Sequence, residues 1–156
     1  MGRGLGRVDR AFATARTGDL ERLEQFFLLL PRHVRHAVEF REPRWWADDV
    51  VALLKKYDIA FCAVSHPALP SDIVPTTDFL YVRFHGLGER LYDYLYNDAE
   101  LTDWVTRLEK PLRGRELYAF FNNDWHCQAI ENGKTFREML RGSTPTSSVA
   151  RRRRAC

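Results

Sequence analysis

The residues of this chain that could carry out chemistry stand at alternate positions where short apolar runs end. Glu39 and Arg41 are two residues apart, and so are Arg83 and His85. Side chains two residues apart on a β-strand lie on the same face, so each pair would project from one side of its strand. A third apolar run is followed by the polar stretch 122–124, in which the first and third residues would share a face. If these runs are neighbouring parallel strands, their carboxyl ends bring all these groups to one rim.

These residue types suit the binding of an anionic or polyhydroxylated small molecule, and they could also support acid–base chemistry. An imidazole is suited to acid–base chemistry near neutral pH, so His85 is the predicted proton-transfer group. Glu39 is the predicted second acid or base, and Arg41 and Arg83 are the predicted anion clamps. The other predicted ligand-binding residues are Asn122, Asn123 and Asp124. Whether the chain is an enzyme stays open at this point.

Each of these residues also has a purely structural interpretation. Glu39 and Arg41 could form an ion-pair layer in the mouth of a barrel, with Arg83 as a further partner, because an unpaired buried charge is costly. His85 could serve only as a hydrogen-bonding residue of a loop. The stretch 122–124 consists of residues that cap helices, although capping explains one of them better than three in a row.

Neither a metal nor a cofactor is predicted. His33, His36 and His126 lack the paired spacing with carboxylates that is typical of metal centres, and His66 is interpreted as a turn residue. No glycine-rich loop follows a predicted strand, which disfavours a dinucleotide cofactor. The three cysteines are far apart in the sequence. This spacing argues against a disulfide framework or a zinc site and favours a reducing, cytoplasmic compartment.

The elements that must position these side chains alternate between helical patterns and short apolar runs. Strands are predicted at 36–41, 59–64, 79–85 and 116–121. Helices are predicted at about 20–30, 46–57 and 97–108, and from the turn at 122–124 to Gly142. A proline-rich loop separates the second strand from the third. This alternation favours right-handed crossovers and a parallel sheet. The predicted fold class is α/β, a partial TIM-type (β/α) barrel with about four parallel strands and alternating helices.

The globular domain is predicted at residues 19–141, between a poorly ordered lead-in at 1–18 and a disordered Arg-rich tail at 142–156. The 156 residues are 45% hydrophobic, which is enough to bury a core. No apolar run approaches the ~20 residues of a membrane-spanning helix, so no membrane partner is expected. The net charge is +3, and the basic residues that dominate it are Arg151, Arg152, Arg153 and Arg154. Such a tail attracts polyanions, so binding of a polyanion through these four arginines is a further hypothesis for the function.

Four stretches of the sequence resemble the motifs of one known family. They read HAVEFR at 36–41, TDFLYVRFHG at 77–86, Tyr96 followed by Glu100-Leu101, and AFFNND at 119–124. In this order they resemble the YecE-like family, a domain of unknown function numbered seventy-two. The resemblance implies a TIM-type (β/α) barrel with no established activity. It also implies that the family's signature cluster corresponds here to Glu39, Arg41, Arg83, His85, Asn122, Asn123 and Asp124.

The sequence departs from the family pattern at three places. The Gly-Thr-Ser-Gly-Trp stretch that typically opens the family's first strand has no counterpart here, so the chain resembles the C-terminal half only. Glu42 stands where the family usually has a histidine. Ser65 stands where an acidic residue commonly ends the next strand. These departures weaken any transfer of catalytic roles from the family.

Half a barrel would leave open sheet edges and an exposed inner face. The alternative function is therefore a non-catalytic truncated or split-gene half-barrel that needs a partner chain, such as a missing N-terminal half, or associates with itself. On this hypothesis the hydrodynamic size exceeds that of a 156-residue monomer.

Overall fold

Four parallel strands form the frame of the molecule, whose computed structural model describes residues 20–143. The strands are β1 (His36–Val38), β2 (Ile59–Ser65), β3 (Phe79–Phe84) and β4 (Glu116–Phe121). Each strand pairs in parallel with the next one along the chain, which gives the order β1-β2-β3-β4. The prediction of a partial TIM-type sheet is confirmed, and within the described residues the sheet is open. The lead-in at 1–18 and the four-arginine tail lie outside the described residues.

The helices follow the start and stop signals in the sequence. They are α1 (Leu20–Leu28), α2 (Asp48–Tyr57), α3 (Asp98–Leu108) and α4 (Gln128–Ser143). Asn97 begins α3 with a capping box, because its side chain accepts from the Glu100 backbone and Glu100 bonds back to the Asn97 backbone. Acidic residues in the first turn of α2 and lysines in its last turn complement the helix dipole. Gly142, assigned above to the tail, belongs to α4.

The connection between β2 and β3 contains no helix. Residues 66–78 run as an irregular segment with three prolines, which cannot continue a helical hydrogen-bond ladder. Ile73 and Val74 of this segment pack against the two clusters on the outer face of the sheet. Thr76 fixes its end, because its hydroxyl donates to the Ile59 carbonyl at 2.7 Å and accepts from the Phe61 N–H at 2.9 Å.

Both faces of the two central strands are buried. On the outer face, Val38, Phe61 and Val82 belong to two apolar clusters formed with the helices. On the inner face a third cluster comprises Ala37, Ala60, Cys62, Val64, Phe79 and Tyr81. The continuous apolar run of β2 is therefore a parallel strand buried on both sides, as predicted.

The last strand, β4, is less covered than the others. Phe120 stacks on Tyr81 of β3 with ring centroids 5.0 Å apart, yet 40% of Phe120 remains exposed. Most other residues of β4 are only half-buried. The sheet thus ends in a strand that presents apolar surface, which is what a barrel that is not closed leaves at its edge.

One arginine ties the two sides of the sheet together at the amino ends of the strands. Arg35, just before β1, forms ion pairs with Glu116 of β4 and, at 3.4 Å, with Asp78 before β3. It also donates to the Tyr118 hydroxyl at 3.1 Å.

None of the helices in residues 20–143 has the length and apolar character that a bilayer crossing requires.

Candidate functional site

Polar side chains from three strands meet at the carboxyl end of the sheet. Glu39 follows β1, His85 follows β3 and Asn122 follows β4. The His85 N–H donates to the Ser65 carbonyl at 3.0 Å and the Asn122 N–H to the Phe84 carbonyl at 2.8 Å, so the parallel pairing continues past the strand ends. We use the term rim cluster for the five residues that come together here: Glu39, Arg41, Arg83, His85 and Asn122.

Glu39 is the centre of the rim cluster. One carboxylate oxygen accepts from His85 Nε2 at 2.8 Å and lies 3.0 Å from a terminal nitrogen of Arg41. The other oxygen pairs with Arg83. The side chain is buried, and three donors surround it. The ion-pair partners considered above for Glu39 are therefore the ones that the structure shows.

The charges of the rim cluster keep Glu39 ionised. Burial alone would raise the pKa of Glu39, but the hydrogen bond from His85 and the charges of Arg83 and Arg41 outweigh it and lower the pKa. Among the five residues of the rim cluster, two guanidinium groups face one carboxylate, which gives a formal excess of one positive charge. A partly buried site with this excess is suited to an anion.

The two arginines differ in how they are held. Arg83 is buried and donates from Nε and one terminal nitrogen to Asn122 Oδ1 at 3.1 and 3.0 Å, while its other terminal nitrogen pairs with Glu39. Asn122 therefore fixes the plane of the Arg83 guanidinium. Arg41 keeps 30% of its side chain exposed. Arg41 is the cation of the rim cluster that solvent reaches most easily.

His85 is completely buried and uses only one of its two ring nitrogens. Nε2 bonds to Glu39, whereas the buried Nδ1 has no hydrogen-bond partner among residues 20–143. Because an ionised carboxylate only accepts, the proton of a neutral His85 ring lies on Nε2, and Nδ1 carries a lone pair. The rings of His66 and Tyr92 stand edge-on to His85, with centroids at 6.1 and 5.7 Å. Buried polar groups are almost always hydrogen-bonded, so an unpaired buried nitrogen marks His85 as a candidate functional residue.

His66 closes a turn, as the sequence predicted. Its Nδ1 accepts from the Ala68 N–H at 3.0 Å. Partial burial lowers the pKa of His66, and the neighbouring His85 and Arg41 lower it further. Within residues 20–143, no three His, Cys, Asp or Glu side chains are grouped so that they could hold a metal ion.

Two residues predicted to bind the ligand do not join the rim cluster. Asn123 is buried on the opposite side, where its amide donates to the Tyr94 carbonyl and to Asn132 Oδ1, both at 2.7 Å. Both amide hydrogens are thus used inside the fold. Asp124 is exposed and has φ −87° and ψ 0°, which is not an extended conformation. The two-residue alternation of a strand therefore no longer applies at Asp124.

A buried network behind the rim cluster was not found from the sequence. The Tyr96 hydroxyl donates to Ser65 Oγ and accepts from the Gly86 N–H, both at 2.8 Å. Burial is the main reason why the pKa of Tyr96 is raised to about 12, so the hydroxyl keeps its proton. Asn132 holds the Tyr96 backbone through two further bonds. This network fixes the residue that follows His85. Its partners are far apart along the chain, and no local pattern marks them.

The parallel sheet and the charged cluster at its carboxyl end define an α/β protein of the TIM-barrel type. The chain belongs to the family described as "Protein of unknown function DUF72", whose sequence profile matches residues 9–154. The resemblance noted from the motifs is confirmed.

Relatives of this chain include curated and structurally characterised proteins. It is similar to the UPF0759 protein YunF of Bacillus subtilis (strain 168), with 26% identity over 129 residues, which cover 67% of this chain and 46% of YunF. A DUF72 family protein from Thermotoga maritima MSB8 has a similar crystal structure, with TM-score 0.74 and 30% identity over 90% of this chain and 55% of that one. A DUF72 family protein from Enterococcus faecalis V583 gives TM-score 0.69 and 22% identity over 87% and 61%. The chain thus spans about half the length of these relatives, and its assignment to their C-terminal half stays a prediction.

Proposed function

We propose that the rim cluster binds a small anionic or polyhydroxylated molecule at the carboxyl end of the strands. The observation that carries this proposal is the pair of arginines around one buried carboxylate, next to a buried imidazole nitrogen that has no hydrogen-bond partner in the described part of the chain. A buried net charge is costly, and an anion bound beside it reduces that cost. Arg41 is the group that meets the anion, because it is partly exposed, whereas Arg83 is held by Glu39 and Asn122.

The arrangement also supports a defined division of roles between Glu39 and His85. The sequence suggested Glu39 as a second acid or base, but a carboxylate with three donors and a lowered pKa is a poor proton acceptor. We assign to Glu39 the role of orienting His85 and stabilising its protonated form. His85 Nδ1 is then the site that accepts a proton from a bound ligand, or donates a hydrogen bond once the ring is protonated.

Substitution of Arg41 by alanine tests the anion site. We expect inorganic phosphate, titrated calorimetrically, to bind the Arg41→Ala variant roughly 10- to 100-fold more weakly, because a charge-assisted hydrogen bond contributes about 1.5–3 kcal/mol. Arg44→Ala is the matched control, since Arg44 is a nearby, more exposed arginine paired with Glu42. Equal phosphate affinity in the wild type and the Arg41 variant, or no phosphate binding by the wild type, would remove the proposed site.

The open edge of the sheet favours a second candidate, a half-barrel that functions only when it associates with itself or with another chain. The exposed apolar surface of β4 supports it. We expect light scattering of the purified 156-residue chain to give a mass above that of the monomer. A monodisperse monomer with one cooperative thermal transition would count against this candidate.

A further inference from the structure

We propose that the ligand of the rim cluster is a cyclic sugar with one acidic group, whose ring stacks on the side chains of Tyr92 and Trp125. The inference rests on the proposed anion site and adds the ligand class. It starts from the two segments that follow β3 and β4, because each of them presents an exposed aromatic side chain. Apolar faces that surround a few placed polar groups are the usual composition of a small-molecule site.

Tyr92 is the aromatic residue in direct contact with His85. Its N–H donates to the His85 carbonyl at 2.8 Å, and its ring stands edge-on to the imidazole at 5.7 Å. The Tyr92 side chain nevertheless remains 40% exposed. One part of the ring therefore covers His85, and another part is available to a ligand.

Trp125 begins a short 3-10 helix (Trp125–Cys127) after β4 and is tied to Tyr92 through the backbone. Its N–H donates to the Tyr92 carbonyl at 3.3 Å, and 58% of the residue is exposed. A tryptophan exposed to this extent loses the hydrophobic gain that burial of its large ring would provide. This bond brings the backbones of the two segments that carry the aromatic residues together.

Strained backbone is concentrated in the same two segments. Tyr92, His126 and Cys127 have positive φ angles of 74°, 56° and 65°. A left-handed conformation costs a residue other than glycine about 1–2 kcal/mol. Within residues 20–143 the other such residue is Asp58, which ends α2 in an ordinary left-handed cap. Strain without a capping role is typical of ligand sites, where a fixed loop geometry is part of the function.

The chemistry of these groups matches an acidic sugar better than a simple anion. The C–H groups on one face of a sugar ring carry partial positive charge and are attracted to the electron-rich face of an aromatic ring. His85 Nδ1 suits a hydroxyl group, and Arg41 suits the acidic group. A bare anion would make no use of two exposed aromatic rings.

Pairs of closed and open-chain ligands test the role of the ring. Glucose, mannose and galactose 6-phosphates are each compared by calorimetry with the corresponding hexitol 6-phosphate, and glucuronate is compared with gluconate. The members of a pair carry the same acidic group and similar hydroxyls, but only one of them has a ring face. We expect at least one cyclic member to bind roughly five- to tenfold more tightly than its open-chain counterpart.

Variants of the aromatic residues assign that preference to the two segments. Tyr92→Gly removes the ring but permits the left-handed backbone, and Trp125→Ala removes the second ring. Each should abolish the preference for the cyclic ligand over its open-chain counterpart. Tyr92→Phe and Trp125→Phe keep an aromatic face and should retain the preference.

The outcomes separate this inference from the proposed function. Equal affinity for both members of every pair, combined with phosphate binding that depends on Arg41, contradicts the proposal of a cyclic sugar ligand. The proposed anion site would then remain supported. A ring preference that survives both Tyr92→Gly and Trp125→Ala overturns the stacking role. If neither phosphate nor any of the acidic ligands binds the protein, both the proposed anion site and the proposed sugar ligand are contradicted.

Discussion

Replacement of Glu39 by alanine is expected to lower the free energy of unfolding by about 3–5 kcal/mol, the cost of breaking a buried ion pair by removing one partner. Arg83 and His85 are almost fully buried and would lose the carboxylate that pairs with both of them. Asn122 Oδ1 already accepts a hydrogen bond from Arg83, but this neutral oxygen cannot replace the negative charge of the Glu39 carboxylate. Urea denaturation at neutral pH, followed by circular dichroism, measures the change.

Glu24→Ala is the control for this experiment. Glu24 also forms an ion pair and a hydrogen bond, with Lys56 and Tyr57, but this pair lies at the surface. Exposed ion pairs contribute little, so the control should change stability much less. A loss from Glu39→Ala no larger than that from Glu24→Ala would show that solvent reaches the rim cluster freely.

The pH dependence of stability in a second variant, Glu39→Gln, gives an independent check. Folding lowers the pKa of Glu39, so the ionised carboxylate stabilises the folded state. This contribution is complete above the pKa of an unfolded glutamate, about 4.3, and is lost as the pH falls through the lower pKa of the folded state. Glu39→Gln should lack this part of the acid-induced loss of stability. Parallel stability curves for the wild type and the variant below pH ~5 would contradict the assignment.

Replacement of Gly86 by alanine is the second change with a large expected effect. Gly86 has φ +99°, and an added Cβ would lie 2.8 Å from the Cβ of Tyr94. The left-handed backbone costs about 1–2 kcal/mol and overpacking about 1–3 kcal/mol, so the free energy of unfolding should fall by roughly 2–5 kcal/mol. The shifted loop should also weaken phosphate binding, because Gly86 follows His85 and is held by Tyr96.

Gly114→Ala separates the two causes. Gly114 also has a positive φ, +73°, but an added Cβ there meets no atom within 4 Å. It should therefore show only the backbone cost of about 1–2 kcal/mol and leave phosphate affinity unchanged. If the two glycine variants lost equal stability, close packing against Tyr94 would not be what restricts Gly86.

The parts of the fold that the sequence predicts correctly depend on local patterns. The continuous apolar run of β2 and the Asn97–Glu100 capping box each lie within a few residues, and both elements are where the patterns put them. The pairing of Glu39 with Arg83 could also be foreseen, because the alternation along two strands and the parallel topology together place them on one face.

The parts that could not be predicted depend on where alternation stops and on contacts distant in sequence. The backbone bonds of His85 and Asn122 extend the sheet past the strand ends, so the alternation still holds there. At Asp124 the backbone leaves the extended region, and the argument from spacing fails. The partners that bury Asn123 and Tyr96 lie on other elements. Their positions depend on tertiary packing, which residue spacing does not encode.

The contacts of Arg35 have a consequence for the far end of the molecule. Because this side chain joins the segment before β1 to β4 at the amino ends of the strands, it limits how far β1 and β4 can move apart at that end of the sheet. Stiff strands carry a small rotation at their base into a larger displacement at their tips. The distance between the strand tips at the ligand site is therefore set in part by Arg35, a full strand length away. A substitution of Arg35 changes the fit of a ligand that it does not contact.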